Sequence, residues 1–125
     1  MPVPMMKMSF RKLIVWQKAM ELARDIHDMT KTFPSDERFG LISQMRDAAV
    51  SIPSNIAEGS QRTTEKDFAN FLLIAKGSLA EIETQTLLAH SFHYMNDAQR
   101  DRLLTRCDEV GKMIYILRTK LKAEN

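Results

Sequence analysis

His90 and His93 stand three residues apart, the spacing that puts two imidazoles on one side of a helix. Two ligands do not close a metal site. A di-iron centre in a helical core needs Glu-x-x-His on two helices plus two further glutamates, and no Glu-x-x-His occurs here. The pair therefore reads as solvated side chains near a helix end, and His27, beside Asp28, as a surface or boundary residue. Cys107 is the one cysteine. It falls on an apolar seam with no base placed to activate it, so it reads as a small hydrophobe. Gly59 and Gly77 are isolated, so no glycine-rich phosphate loop is present. Ser51 and Ser54 have no histidine partner in the sequence. No cofactor, metal or catalytic residue is expected, and the chain does not read as an enzyme.

The densest group of polar chemistry lies in "SIPSNIAEG", residues 51–59. Pro53 interrupts an otherwise helical pattern there. A proline inside a helix removes one hydrogen bond and crowds the carbonyl four residues back, here Ala49, at roughly 3 kcal/mol. Either the helix stops near Val50 and restarts with Ser51 as its cap, or it continues with a kink. In both cases Ser51, Ser54 and Asn55 are suited to bond freed backbone groups, and Glu58 to close a local network. The residues either repair the helix or aim Asn55 and Glu58 into a pocket or subunit interface.

The positioning elements are helical. Four glycines and four prolines in 125 residues, with 44% hydrophobic content, favour a few long helices over a turn-rich β protein. The first helix is expected from about Phe10 to Thr32. Two apolar stripes run along it, Leu13, Trp16, Met20 and Ala23 beside Val15, Ala19, Leu22, Ile26 and Met29. The second is expected over about Asp36 to Glu58, capped by Ser35 and stopped by Gly59. Its apolar face is Leu41, Met45, Ala48, Ile52 and Ile56. The third spans about Thr64 to Ser91 with Phe68, Leu72, Ala75, Leu79, Ile82, Thr86 and Ala89 spaced alternately 4 and 3. The fourth opens at "NDAQ", where Asn96 and Gln99 form a capping box. Leu103, Cys107, Val110, Ile114, Leu117 and Leu121 make its seam. No period-two pattern appears. The expected architecture is all-α, an antiparallel up-down four-helix bundle over residues 10–125 behind a flexible tail, residues 1–9. Trp16 and Phe68 belong to apolar stripes, so core packing is favoured over base stacking; Phe71, one position off the seam, either widens it or faces a subunit.

Net charge is +2. It is uneven: six basic and three acidic groups in residues 1–34, five and eight in 35–96, seven and five in 97–125. In an antiparallel bundle Arg11 and Lys12 approach Arg118, Lys120 and Lys122. With Lys18, Arg100, Arg102 and Arg106 they are the candidate RNA or DNA contacts. The alternative is that these are solvated faces balanced by Asp101, Asp108 and Glu109. One cysteine, no signal-peptide run and no window near the roughly 18 apolar residues of a membrane span lead to the expectation of a soluble cytoplasmic protein with no membrane partner.

"LIVWQKAMELA" (13–23), "FPSDERFGLISQMRDAAVSIPSNIAEGSQR" (33–62), "FANFLLIAKGSLAEIETQTLLA" (68–89) and "EVGKMIYILRTKL" (109–121), in that order, resemble the four helix bundle protein family. It is also called the 23S ribosomal RNA intervening-sequence protein family. "SIPSNIAEG" and "GSLAEIETQ" are the most specific pieces. The resemblance implies a left-handed antiparallel bundle assembling as a homopentamer, and a distant relation to accessory variability proteins of retroelements. It brings no catalytic residues. Matching motif residues are Ser51, Pro53, Asn55, Glu58, Gly59, Gly77, Ser78 and Glu81, with a role in packing or in binding. Glycines inside helices at Gly77 and Gly111 cost roughly 1 kcal/mol each relative to alanine, which close approach of another backbone would offset. Three functions compete: an oligomeric nucleic-acid-associated scaffold, a protein–protein adaptor without nucleic acid, and a small-molecule binder using the Asn55–Glu58 region.

Overall fold

A computed structural model describes residues 9–123, with side chains from 9 to 121. Four long helices carry the chain: α1 (Ile14–Thr30), α2 (Ser43–Ser60), α3 (Glu65–Ser91) and α4 (Asp97–Ala123). Among the described residues there is no strand, and the arrangement is that of a helical bundle. Residues 1–8 of the expected tail lie outside the described residues.

The apolar stripes do what their spacing requires. Leu22 and Ile26 of α1, Met45, Ile52 and Ile56 of α2, Leu72 and Ile82 of α3 and Leu103 of α4 are wholly buried. Each such side chain is worth about 1.5–3 kcal/mol of burial. Trp16 and Phe68 pack partly buried against this cluster, in core and not on a stacking surface.

Helix boundaries differ from expectation at three places. The first helix does not run through from Phe10: Ser9 Oγ accepts the Arg11 amide at 3.2 Å and holds Phe10–Lys12 in a 3-10 turn. Leu13 is extended and α1 starts after it. The second helix is broken near its start. Gly40 has φ −111° and ψ −112°, outside the helical region. The amide of Leu41 is capped by Glu37 Oε1 at 3.2 Å, so Glu37, not Ser35, does the capping. Past Pro53 the outcome is simpler than expected, because α2 is unbroken from Ser43 to Ser60 with Pro53 buried inside it. Ser51 caps no new helix. Gly59 also lies within α2 and does not stop it; a Cβ there would meet Phe71 Cβ at 2.6 Å and Phe68 Cδ1 at 3.0 Å. Its missing side chain lets α3 approach.

The starts of α3 and α4 follow the sequence. Thr64 Oγ1 accepts the Asp67 amide at 3.1 Å. Asn96 and Gln99 exchange bonds reciprocally, at 2.9 and 2.8 Å. Between them, α3 closes through His93 in the left-handed region, φ 66°. The Tyr94 amide returns to the Ala89 carbonyl at 2.9 Å and the His93 amide to that of His90 at 3.0 Å. This is the double-bonded helix stop usually given to glycine.

Candidate functional site

The polar residues of the two most specific motifs meet between α2 and α3. Ser51 Oγ and Ser78 Oγ lie 2.8 Å apart, a hydroxyl pair joining the helices. Asn55 Nδ2 donates to Ser51 Oγ at 3.0 Å and to the Ser51 carbonyl at 2.8 Å. Beside the pair opens a groove of about 350 Å³ lined by Gln44, Asp47, Ala48, Ser51, Ser78, Glu81 and Gln85. Gln85 is only 8% exposed, yet its Oε1 has no hydrogen-bond partner. An enclosed acceptor left unpaired costs about 1–3 kcal/mol.

The remaining motif residues go elsewhere. Glu58 closes no network with Ser51 and Asn55; it is exposed and meets Arg62 Nη2 at 3.4 Å one turn on. Neither Asn55 nor Glu58 lines the groove beside the Ser51–Ser78 pair. Pro53 and Gly59 are packing residues buried in α2. Gly77 is exposed on α3, and nothing lies within 4 Å of a Cβ built on it, so no backbone among the described residues offsets its cost. Gly111 has only ordinary contact, with Leu79 Cδ1 3.8 Å from such a Cβ. Gln44, Asp47 and Gln85 were not singled out in the sequence. The signal exists: Gln44, Asp47 and Ser51 repeat the 3, 4 spacing of Ser78, Glu81 and Gln85, two polar stripes beside the apolar ones.

The basic candidates divide in two. Lys18, Arg102 and Arg106 tie α4 to α1. Lys18 Nζ lies 3.7 Å from Glu109, Arg102 Nη2 3.4 Å from Asp25, and Arg106 Nη1 3.3 Å from Glu21, with its Nε on Asp25. Arg100 is held by Asp101 at 2.9 Å, and also sits near Asp97 and His90. Arg11, Lys12 and Lys120 are exposed and carry no ion pair among the described residues. Arg11 lies 5.8 Å from the Phe10 ring centroid. Arg118 Nε is buried without a partner. The Lys122 side chain lies outside the described residues.

His90 and His93 border one open surface hollow at the α3–α4 turn, together with Asp97. His90 Nε2 is 2.7 Å from Asp97 Oδ1, while His93 is spent on the helix stop. That hydrogen bond, with the nearby Arg100 and His90 charges, holds the Asp97 carboxyl below the ordinary carboxylate range. Among the described residues no group of three potential metal ligands gathers. Cys107 is buried at the floor of an apolar hollow between α3 and α4. Burial, aided by the Glu83 charge, pushes its thiol up to about 12, which keeps it protonated and unreactive.

Residues 11–116 match the family described as 23S rRNA-intervening sequence protein. A crystal structure of a protein of unknown function from the S23 ribosomal protein family of Bacteroides thetaiotaomicron is similar in fold, with a TM-score of 0.79 at 25% identity. The likeness covers 90% of this chain and 99% of that one. No curated protein matches.

Proposed function

The chain belongs to the 23S rRNA-intervening sequence protein family, and from that premise we propose that it is a non-enzymatic, oligomeric scaffold in the cytoplasm that binds RNA or DNA through one basic end of an antiparallel bundle. The observation that carries the proposal is the register of the α1–α4 ion pairs. Residue 18 meets 109, 21 meets 106 and 25 meets 102. Extended back along α1, the same register sets its first residue, Ile14, level with residue 113; Arg11 and Lys12 precede it in the 3-10 turn before the extended Leu13, at the end of the bundle toward which α4 runs on to Arg118 and Lys120. The α2–α3 contacts, Gly59 with Phe71 and Ser51 with Ser78, run in the same opposed sense. This end also collects the N-termini of α1 and α3 and the C-termini of α2 and α4, whose opposed partial charges offset one another, so its positive charge is that of the side chains.

Lys18, Arg100, Arg102 and Arg106 extend the basic patch down one side, where each would have to exchange a carboxylate for a phosphate. The end group needs no such exchange and contributes most. No helix among the described residues is long and apolar enough to cross a membrane.

The test is binding of a fluorescent single-stranded RNA at two salt concentrations. Four phosphate contacts per chain at Arg11, Lys12, Arg118 and Lys120 give a slope of about −0.7 per contact, so affinity falls about 50-fold between 50 and 200 mM salt. The triple variant Arg11→Glu, Lys12→Glu, Lys120→Glu abolishes binding with the helical signal unchanged. Absence of binding at 50 mM salt overturns the reading in favour of a protein–protein adaptor.

A further inference from the structure

The groove between α2 and α3 is rich in acceptors and lined by no basic residue. Asp47 and Glu81 are exposed on it and carry no ion pair among the described residues. By themselves they would be a solvated acidic rim. Gln85 changes that, because it is 8% exposed, lines the groove and holds an Oε1 with no donor. Ala48 supplies the apolar element, and the Ser51–Ser78 pair fixes the helices on either side. We infer that this groove binds an organic cation carrying several N–H donors, a guanidinium or a primary ammonium on an alkyl stem.

The donor count decides the chemistry. A guanidinium offers five N–H groups and an ammonium three, and neither offers an acceptor that would clash with the two carboxylates. Such a head bonds Asp47 or Glu81 with charge assistance and has a donor left for the Gln85 amide once its side chain turns outward. The stem lies over Ala48. A bare metal ion fits poorly. The groove's 350 Å³ far exceeds the roughly 30 Å³ of one water, and no three metal ligands gather among the described residues. A phosphate or carboxylate ligand would face two like charges. The site lies on the α2–α3 flank, away from Arg11 and Lys120, and its test does not depend on nucleic-acid binding.

The experiment is an amide NMR titration of the full chain with agmatine, in parallel with N-acetyl-arginine amide, urea and tetramethylammonium. Saturable shifts centred on Ser51, Ser78 and Gln85 are expected with the cationic donors. Urea has the donors without the charge and tetramethylammonium the charge without the donors, so neither saturates. Glu81→Gln and Asp47→Asn, both on exposed positions, each weaken agmatine about tenfold, and Gln85→Met removes saturation. Agmatine tighter than the blocked arginine assigns the groove to a free small cation; equal affinity assigns it to an arginine side chain. No saturation in the millimolar range, or affinity untouched by Glu81→Gln and Asp47→Asn, overturns the proposal.

Discussion

At Gly59 the absence of a methyl group is a packing requirement. A Cβ would sit 2.6 Å from Phe71 Cβ, on a helix that cannot recede without disturbing Phe68 as well. Gly59→Ala is therefore expected to lower stability by about 1–3 kcal/mol, read as an earlier urea midpoint with an unchanged slope. Gly77→Ala is expected to do the opposite. Its Cβ would meet nothing among the described residues, so helix propensity alone acts, for a gain of about 0.5–1 kcal/mol. A loss at Gly77 would show that a second copy closes on that surface. Tyr94 adds a pH dependence. Its hydroxyl donates to Glu37 Oε2 at 2.8 Å, while Oε1 of the same carboxylate caps Leu41. That bond first, then desolvation and the Glu37 and Asp36 charges, hold the Tyr94 pKa above its ordinary value. The folded value lies above the unfolded one, near 10, so the stabilisation is complete below about pH 10 and is lost as pH rises through the folded value. Denaturation midpoints measured from pH 8 to 11 should fall less steeply for Tyr94→Phe than for the parent chain.

At the scale of the helix, local chemistry was legible wherever one residue pair decided it. "NDAQ" announced α4, and the reciprocal Asn96–Gln99 bonds are present. Asn96→Ala should cost about 1 kcal/mol in thermal or urea unfolding, since the Gln99 amide then loses its acceptor. A change indistinguishable from zero would mean that water replaces the cap freely. The apolar seams of α3 and α4 were legible because their spacing is imposed by the partner helices. What stayed hidden were decisions made by contacts distant in sequence. Glu37 caps Leu41 while held by Tyr94, 57 positions on, and nothing local distinguishes it from Ser35. His93 occupies a left-handed position where glycine would have been the readable signal. Helix α2 tolerates Pro53 without restarting, which propensity alone does not foretell. The candidate groove was half legible: Ser51, Ser78 and Glu81 were marked by their motifs. Gln85 was not, because an amide inside an amphipathic helix announces burial only once the opposite helix is in place.

For the whole molecule, the unsettled surface is the outer side of α3. Leu73, Gly77, Ala80, Thr84, Leu87 and Ser91 repeat the 4, 3 spacing of the buried seam, but they face outward and are exposed. Leu73 is 44% and Leu87 52% exposed, with Ile74 and Leu88 beside them and Tyr115 and Ile116 on α4. A helix apolar on two sides needs cover on both, and the described residues leave this outer stripe exposed. Small residues at Gly77, Ala80 and Thr84 leave room for another helix to come close, which a merely greasy surface would not need. We propose a second copy of the chain as the cover; if the copies close into the five-membered ring that the family resemblance implies, light scattering should give about 72 kDa for five chains of 14.4 kDa. The double variant Leu73→Glu, Leu87→Glu should reduce the particle to a single chain. Its melting temperature, taken at equal low concentration, should remain close to that of the parent, because Leu72, Ala75, Leu79 and Ile82 still fill the core. The two substitutions separate the roles of the α3 faces. Loss of both mass and folding would mean that the outer seam is needed within the chain, and a parent already monomeric at high concentration would remove the ring altogether.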